Sequence, residues 1–236
     1  MASSGDLARA IAATTGLDVE VMRGYVKALR AYEMISSAGR GPGAATMELG
    51  DAATILIALL ATGSPTKAPA YVKKLGALTP IPFKNDESAF LRRAGFHLRP
   101  ELTFRACLED LLFWIASTLK TGLADEKFST ASVSFQTPPD HLWIDIGFEP
   151  KGPVDFATKP QSSHRSGVTI SFASGRHKLN PSALRSYGLI EFNGLIVKRS
   201  ITNRTLAAVA AEIAESSSVK QRLQAASRSR RSSYEW

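Results

Sequence analysis

The sequence predicts an α+β fold, with helices first and an antiparallel sheet after them. Apolar residues recur at helical spacing through most of the first 75 positions. The period then changes to two, and "ASVSF", "HLWIDIGF" and "GVTISFA" alternate as strands. Between the two regimes, residues 79–100 hold Pro80, Pro82 and Pro100 and few periodic apolar positions. The 236 residues leave room for one large domain or two small ones, and a hydrophobic fraction of 44% suffices for a core. The expected organisation is a helical head with an extension over residues 1–78 and a linker over 79–100. An α+β domain able to dimerise follows over 101–215, and a disordered basic tail over 216–236.

The head opens with "LARAIAATTGLDVEVMRGYVKALRAYEMISSAGRGPG". Residues 5–15 predict a short helix with Leu7, Ala8, Ile11 and Ala12 on one face. Gly16 ends it, because glycine takes the left-handed backbone at little cost. Asp18 caps the next helix, expected over 18–32. At about 100° per residue, Met22, Tyr25, Val26, Leu29 and Tyr32 fall in one arc, and Arg23, Lys27 and Arg30 lie together on the opposite side. One face is made to pack and the other to meet anions.

Two short helices joined by a tight glycine turn, the second with a basic outer face, resemble a helix-turn-helix. The family's small residue, turn glycine and apolar residue correspond here to Ala12, Gly16 and Met22, with Leu17 and Tyr25 in further apolar slots. By that register Asp18, Glu20, Arg23, Gly24 and Lys27 point outward from the second helix. The acids Asp18 and Glu20 depart from a plain phosphate-binding face; a carboxylate there either accepts a bond from cytosine N4 or caps the helix. "ALRAYEMISSAGRGPGAATM" resembles the continuation in winged helix-turn-helix regulators, with the wing over 36–45 and Arg40 at its tip. The resemblance spans residues 5–47, and with "DAATILIALL" the stretch is loosely similar to regulators of alphaproteobacterial prophages.

The resemblance implies double-stranded DNA as partner. Arg23 and Lys27 would stand nearest the bases, Arg30 nearer the backbone, and Arg40 at a phosphate or the minor groove. Amphipathic helix pairs also build ordinary cores, and winged helices also dock proteins. "GRGPG" is no dinucleotide fingerprint, since no strand precedes it, and it lacks the Gly-Lys-Ser/Thr of a P-loop.

The net charge is +8, unevenly spread. Residues 63–100 carry seven Lys/Arg against two Asp/Glu, and residues 216–236 carry five against one, whereas residues 1–62 are slightly acidic. Lys73, Lys74, Arg92 and Arg93 are therefore candidate phosphate contacts beyond the head.

Residues 48–61 predict a buried helix stopped by Gly63 and Pro65, and residues 67–75 a short one. Residues 101–120 form the most apolar long helix, left with a narrow polar stripe, so it must be buried on several sides or meet a second subunit. A short helix over 180–187, a hairpin at Asn193-Gly194 and a last helix over 202–215 complete the domain.

The N-terminus shows no signal-peptide pattern, and "AATILIALLA" is about half the ~20 residues of a membrane span. A cytoplasmic protein off the membrane is the expectation. His97, His141, His164, His177 and Cys107 lack metal-ligand spacing, Cys107 sits in the apolar helix, and no serine occupies a nucleophile elbow. No enzyme, metal or cofactor is expected. The sequence points to a homodimeric DNA-binding regulator, a repressor rather than an activator, with the transcription machinery as a further candidate partner; a prophage-type DNA-packaging or polymerase-docking adaptor is the rival.

Overall fold

A computed structural model describes residues 2–37, 46–80, 102–121, 130–137, 141–148, 166–173, 197–214 and 219–222. Helices dominate them, with a smaller share of strand. The order is α1 (Ser4–Thr15), α2 (Val19–Ala31), α3 (Leu49–Ala61), a 3-10 turn (Pro65–Lys67), α4 (Ala68–Gly76), β1 (Thr79–Pro80), α5 (Phe104–Thr121), β2 (Thr130–Thr137), β3 (His141–Phe148), β4 (Ser166–Ala173), β5 (Val197–Ile201) and α6 (Asn203–Ile213).

Local chemistry sets the helix ends. Ser3 and Asp6 form a capping box at the start of α1, and the bonds from Ser3 hold the Asp6 carboxyl below its ordinary pKa. Gly16 closes α1 at φ 74°, its N–H donating to the Ala12 carbonyl at 2.9 Å. The end of α2 is a Schellman motif without glycine. Met34 N–H donates to the Leu29 carbonyl and Glu33 N–H to the Arg30 carbonyl, both at 3.0 Å, and Glu33 takes the left-handed backbone at φ 56°.

At the centre lies α3. Leu49, Ile55, Leu56, Ile57 and Leu60 are all buried, because α2, α4, α5, α6, β2 and β5 surround it. Its apolar run serves a hub, and among the described residues no single helix is long and apolar enough to cross a membrane. The short helix expected over 67–75 arrives as the 3-10 turn plus α4.

The sheet is antiparallel, in the order β1-β4-β3-β2-β5. Val133 stands opposite Ile144 on β3 and Ile201 on β5, and Ile144 stands opposite Ile170 on β4; all four are buried on the helix side. Phe172 meets Phe104 of α5 edge-on, ring centroids 5.0 Å apart. The expected linker begins as β1, where Thr79 and Pro80 pair with Ala173 and Phe172. Residues 81–100, the helix over 180–187 and the turn at Asn193-Gly194 lie outside the described residues.

Head and sheet share one hydrophobic core, running from Ala2 to Val219. α1 packs on α6 as well as on α2, and α5 packs on α3, α4 and α6. The apolar faces of α5 that raised the prospect of a second subunit are largely covered from within the chain. Four residues of the expected tail are described, beginning with Val219, which helical spacing allows to extend the last helix. Residues 219–222 are helical, Val219 is fully buried, and Arg222 lies over the Phe113 ring at 4.2 Å while pairing with Asp110 at 2.6 Å.

Candidate nucleic-acid interface

The geometry of α2 decides which side chains it offers to solvent. Asp18 fixes its start, its carboxylate accepting from the Glu20 N–H at 2.7 Å. Met22, Tyr25, Val26 and Leu29 are buried. The Tyr25 hydroxyl donates to the Thr62 carbonyl at the end of α3. Burial raises the Tyr25 pKa, and the charge of Arg199 pulls it the other way. On the opposite side Glu20, Arg23, Lys27 and Ala31 are exposed.

Arg23 and Glu20 form an ion pair one turn apart, both largely exposed. Such surface pairs are worth about 0.3–0.5 kcal/mol, so the guanidinium is released at small cost when an anion approaches. Lys27 is exposed one turn further along.

Two residues assigned to this face are placed differently. Gly24 backs onto the 3-10 turn: a Cβ built there would lie 3.4 Å from Pro65 Cγ. Arg30 turns toward α1 and donates to Ser4 Oγ at 2.8 Å, while its Nε is buried with no partner. It is a half-buried tie between α2 and the start of α1, because the first turn of α1 takes up its reach. Leu17, assigned an apolar slot, is 42% exposed.

Lys73 and Lys74 are exposed on α4, which packs on both α2 and α3. Arg40, Arg92 and Arg93 lie outside the described residues. The backbone on either side of residues 38–45 meets one carboxylate. Asp51 accepts from Ser36 N–H at 2.9 Å and from Glu48 N–H at 3.0 Å, and Met47 N–H donates to the Ala2 carbonyl at 3.0 Å.

Two cations beside α2 were not singled out from the sequence. Lys67 closes the 3-10 turn that packs on α2 and is exposed. Arg199, on the edge strand β5, comes within 3.5 Å of the position a Cβ would take at Gly63. Both come from distant segments, so no local pattern marks them.

Cys107 is fully buried, and that burial pushes its thiol pKa far up, with Asp110 adding to the shift. Among the described residues no group of His, Cys, Asp or Glu is placed to hold a metal ion. Comparison of the chain with protein-family models, curated proteins and solved structures found no match.

Proposed function

We propose that this protein is a sequence-specific DNA-binding transcriptional regulator. Its head is a winged helix-turn-helix, its second helix enters the major groove, and it acts in the cytoplasm as a homodimeric repressor. The observation that carries the reading is the pairing of α1 with α2. Ala12 and Met22 are buried at the contact, Gly16 makes the left-handed turn, and Arg23 and Lys27 are exposed on the far side of the second helix. Lys67, Lys73 and Lys74 add positive charge on the elements next to α2. The Asp51 carboxylate accepts from the backbone on both flanks of residues 38–45, the stretch that holds Arg40. Two-fold pairing of heads supplies the contacts that a single module lacks, since one such module buries only ~600–1,000 Å² on DNA.

Genome-wide occupancy mapping of the full chain tests the reading. A few sharp promoter peaks sharing a two-part motif are expected. Broad, sequence-indifferent coverage would favour a packaging role, and no enrichment would overturn DNA binding altogether.

A further inference from the structure

Among the described residues, three large hydrophobic side chains are exposed: Leu17 at 42%, Val21 at 41% and Tyr32 at 67%. All three belong to α2 or its immediate flanks. Leu17 stands just before the cap residue Asp18 and Val21 lies in the first turn of α2, so both are at the N-terminal end of the helix. The N-terminal residues of a helix lying in the major groove are the ones that reach base edges.

The polar groups around this pair are already engaged. Asp18 is occupied as the cap and Glu20 by Arg23. At the next turn Gly24 brings no side chain and backs onto Pro65. An interface built for phosphates alone would place cations at 17 and 21. Two aliphatic groups held in water there gain only by meeting an apolar group, and the apolar group that base pairs present in the major groove is the thymine C5-methyl.

We propose that Leu17 and Val21 are specificity-determining residues that read thymine methyl groups. The inference rests on the reading of α2 as a groove-binding helix. It adds the base that the helix selects: thymine at one or two adjacent positions of each half-site, next to the guanine that Arg23 or Lys27 would contact.

The test uses the full chain. A binding motif is first selected from a random duplex library. Each thymine of the selected duplex is then replaced by uracil, which removes only the methyl. Uracil at the contacted positions should weaken binding about fourfold per methyl, the value of one buried methyl-sized group. The double variant Leu17→Ser, Val21→Ser should bind thymine and uracil duplexes equally, with the salt dependence of its binding unchanged because Arg23 and Lys27 remain. Both positions are exposed, so the variant should melt like the parent. Equal affinity of the parent for the two duplexes would overturn this inference and leave the DNA reading standing. A uracil penalty that persists in the double variant would overturn the assignment to these two residues. Failure to select any motif would overturn the DNA reading and the inference together.

Discussion

Glu33 holds a backbone conformation that its own Cβ resists. At φ 56° it occupies the slot after α2 that glycine fills in most helices ending this way. Glu33→Gly should therefore stabilise the fold by about 1 kcal/mol, raising the melting temperature by about 2–4 °C in thermal denaturation. At the same scale, the three arginines and lysines of α2 divide into two kinds. Arg23→Ala or Lys27→Ala should cost about 1–3 kcal/mol in specific affinity, measured on the selected duplex, with the melting temperature unchanged. Arg30→Ala should do the reverse, loosening α1 from α2 with a smaller effect on affinity, because Arg30 already donates to Ser4. Helical periodicity alone put all three on one face. It cannot see that the first turn of α1 lies within reach of one of them.

Elements are held by a few tertiary contacts whose loss can be measured. Asp51 is buried and serves two backbone N–H groups from opposite sides of residues 38–45. Asp51→Ala leaves both donors unpaired and should cost about 2–6 kcal/mol in urea denaturation, at about 1–3 kcal/mol for each unsatisfied group. The segment 219–222 is a second such tie. Removing residues 219–236 uncovers the surface that Val219 fills and strips Arg222 from Asp110 and Phe113. The loss of one buried aliphatic side chain predicts about 2 kcal/mol, or a drop of about 4–8 °C, readable in a thermal melt. The serine- and arginine-rich composition of this region concealed the contact, because one valine and one arginine carry it.

For the whole molecule, what was legible in the sequence followed range. The spacing of Leu7, Ile11, Met22, Tyr25 and Leu29 gave α1 and α2, Gly16 and Asp18 gave their ends, and alternation gave β2, β3 and β4, because each signal lies within a few residues. The single core was not legible. Nothing near Leu7 or Ile11 says that α6, some two hundred residues later, packs on the same helix. The proline-rich composition of residues 79–100 suggested a boundary, yet β1 begins there and joins the sheet. Residues 1–78 expressed alone would leave much of α3 and one side of α1 uncovered. That fragment should show no cooperative thermal transition, followed by circular dichroism, whereas the full chain should melt in one step.

The seating of α1 against α6 also orders events during synthesis. A ribosome delivers the N-terminal helices first, at about 5–20 residues per second. One of the two surfaces that α1 packs on, that of α6, begins only at Asn203. Through most of translation the opening helices therefore wait without their final support. A polypeptide stopped early, by a nonsense codon or a stalled ribosome, cannot complete the core. Such products would be soft targets for proteases, and few would persist.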